Sequence, residues 1–561
     1  MTRYFFFLVA GLVSVLGFLS SPAPAAADTP QGFPALEAAY QSGQIDRTQL
    51  LYEEMTLFFS APVLASSEKA GVGTVLKSGT GLIREVLDRW DTFSAEQQAA
   101  MAQFLARPGK QRTFDSPAGF FKIHFDTIGP EAVPPQDGDA DGVPDYVERI
   151  AEYADSSRST YISGLEFFPP PSDHGVGGDD RCDIYLLAIS GYGATLPDSP
   201  GDSAWNDYSS YILIHRNLYG FPANDDPAGD TIGAQKVTCA HEVFHAVQLA
   251  YDRYESLWWM ESGSTRMEEY VYPEVNDNYN YLPYFYGEPE TSLLSTSGVH
   301  AYGAFVWSLF LDQKLGISVH RKIWEACRYY QDVAALDSGL AGFGASIAAL
   351  FPEFALWNYH TGPRAIAGRY FPDASFYPAA DIDLSFETLV HDSVLPVHPP
   401  QGLACNYIEL AVDSTAKGVL SFRLTGTGFV AWAMTGVIRR DTGDTTITRW
   451  AVLGNPINIY LPFIEDYVGV TAIPTVISPI SYGNDYLLTV SLYPYGDANQ
   501  DRAVNVGDAT YIVNYVFRGG AAPVPVWESG DANCDGKVTV ADAVLIIGYI
   551  FRGGQAPCAG R

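Results

Sequence analysis

The sequence predicts an α+β fold, and three observations carry that reading. In the central part of the chain, strand-like runs come first and helix-like runs follow. A second strand-like stretch, broken by Gly, Asp and Pro, occupies about 381–492. A short internal repeat closes the chain. With 561 residues, 47% of them hydrophobic, the chain can form several domains with sizeable cores.

Residues 1–27 read as a signal peptide. Met1-Thr2-Arg3 is a short positive start, Tyr4 to Leu19 are mostly apolar, and Ala25-Ala26-Ala27 offers small residues for cleavage. Pro22 and Pro24 break the apolar run too early for a membrane anchor. The expectation is a mature chain starting near Asp28, secreted or at the cell surface, with no membrane span.

Residues 28–110 form a helical N-terminal region, with helices expected at 82–90 and 95–105. They are either a removable prosegment or the first layer of the next domain. In that domain, 111–380, strands are expected at 120–125, 182–188 and 211–215. Helices are expected at about 232–254, 260–270, 301–312, 319–330 and 345–357. Residues 381–494 alternate at 418–424 and 486–492, which predicts a β-sandwich serving as a packing or spacer module. In 495–561, Gly496-Asp-Ala-Asn-Gln-Asp501 recurs as Gly530-Asp-Ala-Asn-Cys-Asp535. Two short units that each lack a full core would pair face to face.

The formal net charge of −32 argues against a nucleic-acid partner, which needs a basic surface. Six cysteines in an exported chain favour disulfides. The pairs considered are Cys182–Cys239, Cys327–Cys405 and Cys534–Cys558.

The chemistry concentrates in His241-Glu242-Val243-Phe244-His245, an H-E-x-x-H pattern. Histidines four apart share one helix face, so both imidazoles can reach one Zn²⁺, and Glu242 is placed to take a proton from water. A third ligand is needed. Gln248 and Tyr251 stand where a longer H-E-x-x-H-x-x-G-x-x-H motif would place Gly and His. Glu255, Glu261, Glu268 and Glu269 are the acidic candidates downstream. Glu255 follows too closely for the chain to turn back. Glu261 opens the next helix and is the choice, with Glu268 on the same face to orient a ligand histidine. His300 and Tyr302 are candidate oxyanion donors. His215 and His360 read as structural.

Asp137-Gly-Asp-Ala-Asp-Gly142-Val-Pro-Asp145-Tyr-Val-Glu148 fits a calcium loop, with ligands Asp137, Asp139, Asp141, Val143, Asp145 and Glu148. The repeat predicts two more: Asp497, Asn499, Asp501, Asn505 and Asp508, then Asp531, Asn533, Asp535, Thr539 and Asp542. Up to three structural Ca²⁺ ions are expected. Arg502 stands in the first loop where the turn calls for Gly.

HEVFH followed by Trp258-Trp259-Met260-Glu261-Ser262-Gly263-Ser264-Thr265 resembles exported bacterial gluzincin-type metallopeptidases, which read HExxH…WxxEGxA. The likeness spans about 120–362. It implies a zincin-like domain, a sheet above an active-site helix, with Glu261 as third zinc ligand. Ser262 departs from the family Gly. The tail, about 496–558, resembles type I dockerin modules, which implies two calcium ions and a cohesin-type partner.

The expected function is therefore a secreted zinc endopeptidase acting on protein or peptide substrates. The alternatives are a calcium-stabilised, non-catalytic cell-surface or scaffold binding protein, and a zinc hydrolase of non-peptide substrates.

Overall fold

The structure is a computed structural model. It describes residues 32–60, 71, 75–387, 393–412, 416–427, 430–440, 442–452, 456–462, 464–479 and 482–559. The expected signal peptide lies outside the described residues.

The N-terminal region holds helices α1 (Phe33–Gln41), α2 (Arg47–Phe59), α3 (Thr80–Asp88) and α4 (Ala95–Phe104), with strand β1 (Leu76–Ser78) before α3. Five further strands follow: β2 (Arg112–Asp115), β3 (Phe121–Phe125), β4 (Cys182–Leu187), β5 (Gly191–Pro200) and β6 (Tyr208–His215). They join β1 in one sheet of order β1-β5-β6-β4-β3-β2. Strand β1 runs parallel to β5, and β5 antiparallel to β6.

Strand β6 shows why both faces of this sheet are apolar. Side chains alternate along a strand. Tyr211 and Leu213 enter the core built by α1–α4, whereas Ile212 and Ile214 enter the larger core on the other side. A strand buried on both faces reads as one unbroken apolar run. Each fully buried aliphatic side chain contributes about 1.5–3 kcal/mol, so the N-terminal helices are a working half of the sandwich around the sheet.

Helices α5 (Asp145–Ser159), α6 (Asp230–Leu249) and α7 (Leu257–Val271) lie on the far face. Helix α6 is buried from Gly233 to Leu249 on every side except at Lys236. Its buried face is not all apolar: Gln235, Thr238, His241, Glu242, His245 and Gln248 are enclosed with it and must find partners inside the core. The expected helix at 232–254 ends instead at Leu249, where the chain turns back. Glu255 holds that turn: its Oε1 accepts from Ser256 N at 2.6 Å, Ser256 Oγ at 2.8 Å and Asp332 N at 2.8 Å.

Strand β5 escapes sequence reading because Gly191, Gly193, Pro197 and Pro200 disguise it. Gly193 is where α6 meets the sheet. A Cβ there would lie 2.8 Å from the Leu213 carbonyl oxygen and 2.8 Å from Cγ of Glu242. The backbone oxygen cannot move aside. Gly193→Ala is expected to destabilise the fold by about 1–3 kcal/mol, read as a fall in the thermal unfolding midpoint.

The helical layer continues with α8 (Leu282–Tyr286), α9 (His300–Gly303), α10 (Phe305–Leu315), α11 (Ser318–Cys327), α12 (Asp332–Ala341) and α13 (Ile347–Tyr359). The expected helix at 301–312 is split at Ala304 into α9 and α10.

A two-sheet β body follows, formed by β7 (Leu384–Phe386), β8 (Ser393–Val394), β9 (Ala404–Cys405), β10 (Ile408–Ala411), β11 (Val419–Gly426), β12 (Ala431–Arg439), β13 (Thr445–Val452), β14 (Ile457–Pro462), β15 (Gly469–Val476) and β16 (Tyr486–Tyr493). One sheet runs β13-β12-β15-β10-β7, with β9 also on β15; the other runs β14-β11-β16-β8. A core including Leu420, Phe422, Trp432 and Ile459 fills the space between them. The tail pairs α14 (Val506–Arg518) with α15 (Val540–Arg552) over Ala509, Ile512, Ala543 and Ile546.

Cys534 and Cys558 form a disulfide, but the other two expected pairs are absent: Cys182, Cys239, Cys327 and Cys405 are free thiols. Their surroundings keep them apart. Cys239 Sγ faces the Ile150 carbonyl at 3.6 Å on α5, while Cys182 Sγ faces the Ser210 carbonyl at 3.8 Å across the sheet. Cys327 lies beside Glu255, whereas Cys405 sits in the β body near Tyr407.

Candidate metal centre and calcium loops

His241 and His245 project from α6, four residues apart, and α7 crosses it carrying Glu261. Ring centroids of the two histidines are 4.6 Å apart. Glu261 Oε2 lies 3.1 Å from His241 Nε2 and 3.4 Å from His245 Nε2. The three residues offer donor atoms all within 4.8 Å of one another, and all three are buried. The helices approach closely at Gly263, where a Cβ would meet Gln248 Nε2 at 3.3 Å. Ser262 supplies a tie between helices: its Oγ donates to the Ala304 carbonyl at 3.0 Å.

Each imidazole is oriented from behind. His241 Nδ1 lies 2.7 Å from Glu268 Oε1, and His245 Nδ1 lies 2.7 Å from Gln248 Oε1. Gln248 Nε2 donates to the Met260 carbonyl, which fixes its oxygen toward His245. Acceptors at both Nδ1 atoms leave both Nε2 atoms facing Glu261. Glu268 in turn pairs with buried Lys77 at 2.8 Å, and Lys77 also pairs with Asp277, whose Oδ1 accepts from Tyr192 OH at 3.0 Å.

Burial alone would lower the His241 pKa, but hydrogen bonds to Glu261 and Glu268 raise it to about 9. For Glu261, burial works upward, and His245 and His241 overturn it, leaving the carboxyl at about 2. The metal-free site thus holds an imidazolium between two carboxylates. Its donor set of two imidazoles and one carboxylate suits Zn²⁺, and Glu261 Oε1 is a buried oxygen without a hydrogen-bond partner among the described residues.

Glu242 lies on the same helix, fully buried. Its Oε2 accepts from Thr195 Oγ1 at 2.8 Å and Thr80 Oγ1 at 3.2 Å. Its Oε1 has no hydrogen-bond partner among the described residues. Tyr302 lies near by, its ring centroid 6.2 Å from that of His241, and its OH donates to the Ser78 carbonyl at 3.2 Å. Burial holds its phenol well above the ordinary tyrosine pKa. His300 is packed against Phe285 instead, and burial lowers its pKa to about 4. A cleft of about 540 Å³ reaches Glu261 and Tyr302, lined by apolar Phe33, Leu51, Leu82 and Val299 and by charged Arg47, Glu54 and Glu85.

His215 and His360 lie away from this cluster. His215 caps its own turn by accepting from Leu218 N at 3.1 Å, and His360 stacks on Tyr370. Sequence reasoning did not single out Lys77, Thr80, Thr195 or Asp277. Thr80 is 162 residues from Glu242 and Lys77 is 200 from Asp277, and no local motif marks them.

The first acidic loop brings Asp137, Asp139 and Asp141 within reach of one ion. Asp145 Oδ1 accepts from Gly138 N at 2.7 Å and Asp141 Oδ1 from Val143 N at 2.7 Å. Glu148 follows on α5, its pKa raised by burial and by the aspartates around it. In the tail, Asp497, Asp501 and Asp508 converge likewise. The second loop folds the same way: Asp531 accepts from Asp535 N and Gly536 N, and Asp542 from Asn533 N and Thr539 N. Asn505 and Thr539 also cap α14 and α15. Asn499 and Asn533 accept from Asp501 N and Asp535 N, both at 2.9 Å. Arg502 adopts φ 68°, matching Gly536 at 82° in the second loop. Its Nη2 donates to Ser491 Oγ at 2.8 Å on β16, tying the tail to the β body.

Burial, with Asp508 and Asp501 adding repulsion, raises the Asp497 pKa to about 6. An unfolded aspartate titrates near 3.9. The folded, calcium-free tail therefore takes up a proton across that window, and its stability rises as pH falls from 6 toward 4. Hydrogen exchange on calcium-free, full-length protein is expected to show α14 better protected at pH 5 than at pH 7.5. Added calcium at pH 7.5 should reverse that order.

Residues 495–551 match the family "Dockerin type I domain", so the C-terminus carries a type I dockerin domain. Among solved structures, the pre-peptidase C-terminal domain of a collagenase from Bacillus anthracis is 10% identical, with a TM-score of 0.14, over 20% of this chain and 96% of that one. A superposition that poor carries no argument. No curated protein matches. Among the described residues, no helix is long and apolar enough to cross a membrane.

Proposed function

We propose that the protein is an exported zinc-dependent endopeptidase with a calcium-dependent docking module at its C-terminus. The observation that carries this reading is the convergence of His241, His245 and Glu261 around one point, with the unpartnered Oε1 of Glu242 on the same helix. A purely structural zinc site is closed by a fourth protein ligand, whereas only His241, His245 and Glu261 converge among the described residues, which leaves a position open beside Glu242.

His241, His245 and Glu261 would hold the zinc. A bound Zn²⁺ supplies Lewis-acid polarisation of a carbonyl and makes water more acidic. The protein's own groups do the rest. Glu242, fixed at Oε2, uses Oε1 to take a proton from the attacking water and hands it to the departing amine. Tyr302 keeps its proton, which its OH donates to the Ser78 carbonyl; to serve the developing oxyanion it would have to turn that hydrogen away from Ser78. The cleft beside Glu261 receives the substrate chain, and α1–α3 line it with both apolar side chains and the charged Glu37, Arg47, Glu54 and Glu85. The tail and the Asp137 loop would take up to three calcium ions. A cohesin-type protein would be the tail's partner, with the whole chain outside the cell or at its surface.

The test is casein digestion by the mature protein, before and after a zinc chelator and after zinc is restored. Activity that disappears and returns supports the reading. Zinc-loaded protein that cleaves no polypeptide rules against the endopeptidase and leaves the non-catalytic binding protein and the hydrolase of non-peptide substrates.

A further inference from the structure

We propose that Thr80 and Thr195 are positioning residues that hold Glu242 as the base, which makes the β1–α3 segment a permanent part of the catalytic body. This rests on the peptidase reading of the site. A count of hydrogen-bonding capacity carries it. A threonine hydroxyl has two acceptor sites and one hydrogen. Thr80 Oγ1 accepts from Thr195 N at 2.8 Å and from Ser78 Oγ at 2.9 Å. Both acceptor sites are taken, so the single hydrogen goes to Glu242 Oε2. Thr195 Oγ1 reaches the same oxygen at 2.8 Å and the Glu242 carbonyl at 2.9 Å. Thr80 is therefore committed to Oε2, Thr195 divides its one hydrogen between Oε2 and the Glu242 carbonyl, and Oε1 is left for chemistry. All of these groups are buried, where an unaimed carboxylate has no water to orient it.

The segment cannot leave without undoing this. Thr80 starts α3, β1 lies hydrogen-bonded along β5, and α1–α4 cover Tyr211 and Leu213. Residues 75–105 are therefore retained in the working enzyme.

Thr80→Val removes the hydrogen at nearly constant shape, and Thr80→Ser keeps it. Thr80→Val is expected to lower kcat by roughly 10- to 100-fold with KM little changed, and Thr80→Ser to recover most of the loss. In a Glu242→Gln background, Thr80→Val should add little. Zinc content should be the same throughout, since neither threonine touches a ligand. Equal activity of the Val and Ser variants, or an undiminished effect of Thr80→Val beside Glu242→Gln, would overturn the proposal. If Thr80→Val does not fold, Thr195→Val against Thr195→Ser poses the same question. A crystal structure of the Val variant gives a reading independent of turnover: Glu242 should be displaced or split between rotamers, and an unmoved side chain contradicts the claim. An inactive wild type would refute the peptidase reading instead. Mass spectrometry of active protein should find residues 75–105 in the chain; active protein without them would overturn their retention.

Discussion

Replacing Glu242 by glutamine is expected to lower kcat/KM for peptide hydrolysis by about 10²–10⁴-fold while zinc content and thermal stability stay close to wild type. The side chain keeps its size, and the amide can still accept from Thr195 and Thr80 through its oxygen. What disappears is the proton-accepting Oε1, which has no other hydrogen-bond partner in the described structure. The change therefore removes chemistry without leaving a new hole or a new unpaired charge. A fluorogenic peptide assay, with zinc measured on the same samples, checks this. A loss of activity that merely tracks a loss of zinc would show that Glu242 supports the metal and does not act as the base.

Zinc loading is expected to produce the largest effect on stability. Metal that binds only the folded state stabilises it by about 4 kcal/mol when free zinc exceeds Kd roughly a thousandfold. Binding must also expel a proton. His241 is held protonated up to about pH 9, and its Nε2 proton stands where the metal must go. The sign follows directly. Below pH 9 zinc competes with that proton, so affinity falls by about tenfold per pH unit, and binding at pH 7.5 releases about one proton from His241. Titration calorimetry in buffers of different ionisation enthalpy reads the proton count, and unfolding midpoints read the stability. Glu261→Gln should weaken zinc binding sharply, because it removes the carboxylate that both Nε2 atoms face.

The residues on α6 and α7 were legible because their chemistry is local. H-E-x-x-H is a helical spacing, and Glu261 lies on the next helix, one turn inside it because α7 starts at Leu257 and not at the expected 260. The groups that orient them were not legible. Gln248 counted only as a missing motif residue, yet it fixes His245. Lys77 and Thr80 come from a region with no strand signature, because β1 is three residues long. Strand β5 was hidden by its glycines and prolines, although Gly193 is what lets α6 approach the sheet. Of the cysteine pairs, Cys534–Cys558 forms and the other two do not, because pairing depends on which elements face each other and spacing does not report that. The tail was the easiest part, since each repeated unit restates the same loop and capped helix.

The most direct test of the peptidase claim is cleavage of a diverse peptide mixture by zinc-reconstituted, full-length protein, with Glu242→Gln of matched zinc content run beside it. The expected result is a set of new peptide N-termini generated by wild type only, abolished by chelator and restored by zinc. Identical products from both proteins, or none from zinc-loaded wild type, would contradict it.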